Sequence, residues 1–362
     1  MNLPTHNDFE RLVLDDVPLI DVRAPVEFAD GAFPTAVNLP LMDDEERRLV
    51  GIRHKRNGPD AALALGRELV CGAIKAERIE AWTKRLEARP ESLIYCFRGG
   101  ERSRIAQRWI REATGRVVPR LDGGYKAFRR YLIERFEPRN VSARPIVLGG
   151  RTGIGKTRLL RKLENAVDLE AIANHRGSAF GRRSSPQPRP IDFENALAWA
   201  LVKHRARGWR TMPVEDEGRH VGLCFLPQPL VERFAGADVV VLERPLEERV
   251  EITFEEYVRD DRKEYAERFG AAGETRWREA MEASIDRIRK RLGGARHQEL
   301  RRRFALACEN RDPTRHKEWI RFLLLDYYDP MYDYQLQNKT SRIVFRGDEP
   351  AVLDWLRQAE RA

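Results

Sequence analysis

The run Gly150-Arg151-Thr152-Gly153-Ile154-Gly155-Lys156-Thr157 has the spacing of a phosphate-binding loop: Gly, four residues, then Gly-Lys-Thr. Gly150, Gly153 and Gly155 let the backbone curl until several N–H groups converge on one phosphate. A helix start adds positive potential, Lys156 a mobile cation and Thr157 a hydroxyl. The flanks fit as well. Ile146-Val147-Leu148 reads as a buried strand before the loop, and Leu159, Leu160 and Leu163 mark a helix after it. A glycine turn that binds nothing needs neither flank.

Cys96 is the second reactive candidate. Ser92-Leu93-Ile94-Tyr95 reads as a strand ending at the cysteine. Phe97-Arg98-Gly99-Gly100-Glu101-Arg102-Ser103 forms a loop, and a helical pattern runs on through Ile105, Ala106, Trp109 and Ile110. Such a loop can wrap N–H groups around the sulfur or around an anion beside it. Helix starts and adjacent cations lower a thiol pKa from about 8.5 to roughly 3.5–7.5. Cys96 is therefore expected to be a thiolate nucleophile, with Arg98 and Arg102 as anion holders. Cys71, Cys224 and Cys308 lack the glycine loop and read as small apolar residues. No Cys-x-x-Cys pair occurs, which argues against a structural zinc site and a disulfide framework.

The elements that must position these residues suggest two domains in a chain of 362 residues. The polar, proline-bearing stretch 137–145 reads as a linker, giving domains 1–138 and 139–362. In the second domain polar groups crowd behind apolar strands, where parallel sheets bind ligands. Asp216 and Glu243 fit there as acidic partners of Lys156 and Thr157, or as solvated helix caps. His175 beside Arg176 reads as a site residue or as a structural hydrogen-bonding residue. No two histidines show metal-ligand spacing, so no metal site is expected. A Mg²⁺ requirement is left open.

Trp277, Met281, Ile285, Ile288 and Leu292 recur at helical spacing. Arg287, Arg289, Lys290 and Arg291 begin a basic stretch able to follow RNA phosphates, or to form an ordinary solvated face. The tyrosines of 327–334 suit base stacking, a prenyl pocket or packing against the P-loop domain. The net charge is +9, compatible with a polyanionic partner. No apolar run approaches the roughly 20 residues that span a bilayer. The start lacks a secretory pattern, so a cytoplasmic protein is expected.

Three segments resemble a rhodanese domain across most of residues 8–135. They are Leu19-Ile20-Asp21-Val22-Arg23, residues 31–40, and Leu121-Asp122-Gly123-Gly124-Tyr125 around the Cys96 loop. Asp21 and Arg23 match the family, though such a pair is also a common turn lock. Residues 96–103, Asn174-His175-Arg176-Gly177-Ser178, Phe193-Glu194-Asn195, Glu215-Asp216-Glu217 and Tyr327-Tyr328-Asp329-Pro330-Met331-Tyr332 resemble the bacterial tRNA 2-selenouridine synthases, from about residue 8 to 340. Gly218 departs where a serine is expected, and residues 221–230 diverge.

The resemblance implies an α/β protein: a rhodanese-like domain, then a P-loop domain with a parallel sheet and a helical, Arg-rich C-terminal part. It implies a transferase acting on the wobble 2-thiouridine of tRNA in the anticodon region. Geranyl diphosphate would first alkylate the sulfur, and selenophosphate would then give 2-selenouridine. No tightly bound cofactor is implied, and selenophosphate synthetase is a candidate partner. Cys96 would carry selenium, with Arg98 and Arg102 holding the anion, and the P-loop would cradle diphosphate. The competing readings are a P-loop kinase or NTPase with a docking rhodanese domain, a rhodanese-fold cysteine phosphatase, and an RNA-binding protein without chemistry. Tyr95, where phosphatases commonly place a histidine, weighs against the phosphatase.

Overall fold

Leu19-Ile20-Asp21 and Leu93-Ile94-Tyr95 are buried throughout, as strands inside a helix-covered parallel sheet must be. The structure, a computed structural model, describes residues 3–310, 312–337 and 340–362. It divides into two units. The first runs to Asn140 and takes in Ile191–Arg207; the second comprises Val141–Pro190 and Gly208–Ala362.

In the first unit β1 (Thr5–His6), β2 (Leu19–Asp21), β3 (Ala36–Asn38), β4 (Leu93–Tyr95) and β5 (Arg120–Leu121) form a parallel sheet in the order β1-β5-β4-β2-β3. The turn after β2 is locked. Arg23, 1% exposed, donates through Nε and Nη2 to the Asp21 carboxylate at 2.9 and 2.6 Å, and through Nη2 to the Gly31 carbonyl at 2.8 Å. These contacts make the Asp21/Arg23 pair a structural clamp. The helix Asp44–Leu69 starts on a capping box between Asp43 and Glu46. It bends at Gly58, where φ is 85°, because Pro59 cannot donate to the preceding turn and its ring crowds it.

The helix Pro190–Ala206 is apolar on nearly every side, with Phe193, Leu197, Trp199, Leu201 and Val202 all buried, so it needs cover all round. Although it follows the P-loop in sequence, it packs in the first unit. Asp192 accepts the Ala32 N–H and Asn195 donates to the Ala32 carbonyl, both at 2.7 Å. The Trp199 ring lies 5.8 Å from Phe128. The expected division at 138/139 placed this helix with the second domain.

In the second unit β6 (Arg144–Gly149), β7 (Thr211–Glu215), β10 (Asp238–Leu242) and β11 (Ile343–Gly347) form a parallel sheet in the order β11-β10-β6-β7. A hairpin of β8 (His220–Val221) and β9 (Cys224–Phe225) occupies the divergent stretch. The helices after β10 close on a core of Trp277, Met281, Ile285, Ile288 and Leu292 with Phe304, Trp319 and Tyr328. Among the described residues no helix is long and apolar enough to cross a membrane.

Candidate active sites

β4 is the middle strand of its sheet, so the loop that follows opens at the carboxyl ends. Cys96 begins that loop and is 3% exposed. One flank of the residue joins the apolar cluster of Ile20, Val22, Ile94 and Ala106. On the other, Sγ lies 3.3 Å from the Ser103 hydroxyl. The sulfur is therefore sheltered beneath the loop. The glycines explain how so tight a loop holds its shape. Tyr125 and Lys126 donate to the carbonyls of Cys96 and Phe97 at 2.9 and 3.0 Å. A Cβ on Gly124 would stand 2.3 Å from the Cys96 oxygen and the Gly99 nitrogen, so only glycine permits this approach. Among the described residues the N–H groups of Arg98 to Ser103 have no backbone acceptor. Unpaired N–H groups in a loop of this kind can receive an anion.

The cations around this loop have different partners. Arg98 is exposed. Arg102 is committed to Glu27, with Nη1 and Nη2 donating to its carboxylate at 2.5 and 3.1 Å. As an anion holder Arg102 would first have to leave that carboxylate. Arg120, on β5 next to β4, was not singled out from the sequence. It is 7% exposed, and its Nε and Nη1 have no partner among the described residues. Burial and the like charge of Arg104 pull its pKa down, while Asp122 and Cys96 pull it up.

The P-loop follows β6, between β10 and β7. Gly150, Gly153 and Gly155 take φ of 134, 74 and 86°. Lys156 folds back, with Nζ donating to the Gly150 carbonyl at 3.1 Å and standing 5.4 Å from the Tyr332 ring centroid. With Lys156 in this position the cavity holds about 50 Å³. The Thr157 hydroxyl donates to Glu170 at 2.7 Å. Glu217 lines the same cavity. Burial first, then the neighbouring Glu170, pushes the Glu217 carboxyl up to about 9, against the pull of Lys156. Glu170 is also raised, chiefly by burial, so the two carboxyls hold a proton between them near neutral pH. Gly177 makes room for them, since a Cβ there would lie 2.1 Å from Glu217 and 2.4 Å from Glu170. Arg176 completes the wall. Its Nη2 donates to Asp261 at 2.6 Å, while its buried Nη1 has no partner among the described residues.

A family model described as the tRNA 2-selenouridine synthase AAA domain matches residues 143–362. A rhodanese-like domain matches residues 5–131. A tRNA 2-selenouridine synthase of Sulfurovum sp. (strain NBC37-1) is 51% identical over 360 residues, covering 98% of this chain and 99% of its own length. Those of Hydrogenovibrio crunogenus and Marinobacter nauticus are 51% and 48% identical, each covering 98% of this chain and 99% and 98% of their own. The chain belongs to the tRNA 2-selenouridine synthase family.

The remaining candidates fall in different places on this synthase fold. Asp216 follows β7, its N–H bonded to the Leu148 carbonyl at 3.2 Å, so it stands beside the P-loop strand. Glu243 is exposed and 3.7 Å from Arg346; it does not line the cavity around Lys156. His175 is buried, and its Nδ1 accepts the Gly177 N–H at 3.1 Å. Burial first, and then the nearby arginines, lower its pKa to about 4, so it acts as a neutral brace for the Arg176–Gly177 turn. Arg287 donates to the Ala179 carbonyl and Ser284. Arg289, Lys290 and Arg291 are exposed, whereas Arg301, Arg302 and Arg303 are paired with acids. Tyr327 and Tyr328 are core residues, and Tyr332 alone among these tyrosines lines the P-loop cavity. Sequence reasoning named Glu217 and Asp329 only within strings resembling the family, without a role, and did not single out Glu170 or Arg249, whose partners come from other segments.

Proposed function

We propose that the protein is a tRNA-modifying transferase that converts wobble 2-thiouridine to 2-selenouridine through an S-geranyl intermediate. In the first transfer the thiocarbonyl sulfur attacks the allylic carbon of geranyl diphosphate. The C–S bond forms, the C–O bond breaks, and diphosphate leaves with the electron pair. Lys156, Arg176 and the loop N–H groups neutralise the departing charge. In the second, selenium of selenophosphate bonds to C2 of the base, the C2–S bond breaks and geranylthiolate leaves; water then attacks phosphorus, the P–Se bond breaks, and phosphate is released with selenium left on C2. Alkylation is what makes this sulfur a competent leaving group. Cys96 is assigned to selenium handling, with Arg98 and the loop amides receiving the selenophosphate anion and Arg102 holding the loop through Glu27.

The observation that carries the reading is the similarity, over 98% of the chain, to proteins named tRNA 2-selenouridine synthase. Two separate anion-receiving loops, one with a sulfur nucleophile, support a division into two transfers. Four unpaired cysteines and an RNA substrate fit work in the cytoplasm. A selenophosphate synthetase would supply the second substrate.

The test is nucleoside mass spectrometry of tRNA incubated with the protein, geranyl diphosphate and selenophosphate. S-geranyl-2-thiouridine should appear first and 2-selenouridine after it. Unchanged nucleosides on bound tRNA would leave only an RNA-binding protein. ATP turnover indifferent to RNA and to Cys96 would mark an NTPase.

A further inference from the structure

The bend in the helix Asp44–Leu69 does more than turn the chain. Between its two halves lies a cavity of about 280 Å³. Leu41, Met42, Val50, Leu63, Ile105 and Trp109 line it. A dry apolar cavity of about 150 Å³ already takes a benzene-sized guest, so this one suits a longer hydrocarbon. Its back wall is the core that also contains Cys96: Leu41 and Met42 belong to that cluster, and Ile105 and Trp109 pack on it. Glu101 and Arg102, which start the helix after the Cys96 loop, form one side.

The rim has the opposite character. A second concavity shares Met42, Val50, His54 and Arg102 with the first and adds Arg47, Arg48 and Lys55, with Glu27 on the same rim engaging Arg47 and Arg102 and Glu45 engaging Arg48. Arg53, Lys55 and Arg56 are exposed and have no ion-pair partner among the described residues. An apolar interior beneath a cationic rim is complementary to a hydrocarbon chain attached to a polyanion. A free base, a phosphate or a selenophosphate would leave the interior unused.

We propose that this cavity seats the isoprenoid chain of the S-alkylated nucleoside, while rim cations hold flanking RNA phosphates, so that the alkylated base is presented to the Cys96 loop. The inference rests on the functional reading above, which supplies the S-geranyl group.

The test uses full-length protein and three tRNA anticodon stem-loops, carrying S-geranyl-, S-methyl- or S-farnesyl-2-thiouridine. Gly66 lines the cavity, and a Cβ there would meet only Val50 at 3.8 Å, so Gly66→Leu fills the space without backbone strain. It should weaken binding of the S-geranyl RNA at least about tenfold, the loss of roughly two buried methylenes. Binding of the S-methyl RNA should not change. Lys55→Glu should weaken both RNAs alike and flatten the salt dependence. If Gly66→Leu does not fold, Leu63→Ala, which enlarges the cavity, should raise the ratio of S-farnesyl to S-geranyl affinity several-fold. Equal effects on both RNAs, or an unchanged ratio, overturn the assignment. If the parent protein selenates S-geranyl RNA but chain length is not discriminated, the cavity assignment alone fails. If it forms no selenouridine from that RNA, the functional reading fails with it.

Discussion

Arg249 grips Asp329 with two nitrogens at 3.0 and 2.6 Å, and the same guanidinium donates to the Thr152 carbonyl at 3.1 and 3.0 Å. The tyrosine-rich segment thus braces the P-loop from behind, with Arg151 tied to Asp333 at 2.8 and 2.7 Å as a second strut. Breaking a buried pair leaves an uncompensated charge, so Asp329→Asn should cost about 3–5 kcal/mol. The half-exposed Asp333→Asn should cost no more than about 1 kcal/mol. Denaturant unfolding of the two variants measures the contrast.

The two loops should fail separately. Lys156→Ala should abolish S-geranylation of tRNA, whereas Cys96→Ala should accumulate S-geranyl-2-thiouridine and make no selenouridine. Nucleoside mass spectrometry reads both products. Full selenation by Cys96→Ala would remove the cysteine from the chemistry.

The phosphorus product tells whether selenium passes through the Cys96 sulfur or goes directly to C2. If its sulfur takes selenium directly as a perselenide, the P–Se electron pair stays on phosphorus and phosphite is released. If selenium bonds to C2 first and the P–Se bond is then hydrolysed, phosphate is released. In the direct course Cys96, sheltered beneath the loop and 3.3 Å from the Ser103 hydroxyl, positions the anion-receiving loop, so its loss stalls selenation without its sulfur bonding to selenium. Phosphorus NMR of a single turnover should show phosphate.

Glu217 makes stability depend on pH in a definite direction. Its ordinary carboxyl value is 4.5, and in the fold it rises to about 9. Below the lower value both states carry the proton. Between the two, the unfolded chain loses it and the folded chain keeps it, so stability falls as pH rises. Glu217→Gln should therefore gain stability over the parent at pH 8 by more than it does at pH 5, as thermal unfolding at both values will show. A difference that does not change with pH would mean that Glu217 is ionised in the fold. His175, lowered from 6.5 to about 4, acts at the other end: stability drops as pH falls through that interval.

Both candidate loops were legible in the sequence because each is a contiguous string with strand and helix flanks. What each charged side chain touches was not. Arg102 meets a carboxylate far back in the chain, at Glu27, and nothing local distinguishes that fate from anion holding. Thr157 and Glu170 likewise meet only once Asp168 has capped the short helix Leu169–Ile172. For the helix Pro190–Ala206, an all-round apolar surface announces burial but not which unit provides it. The Gly58-Pro59 break in the helix Asp44–Leu69 was not read from the sequence, and the space it opens depends on Ile105 and Trp109 arriving from another helix.

That helix also bears on how the protein comes off the ribosome. All five strands of the sheet around Cys96 are translated by residue 121, but when residue 140 emerges the sheet's Phe128 face and the Ala32 turn still await Trp199 and Asn195 from the helix Pro190–Ala206. By then the P-loop strand has already been translated. A fragment ending at the linker should accordingly be poorly soluble, and the two halves of this protein are made as interleaved rather than successive folding units.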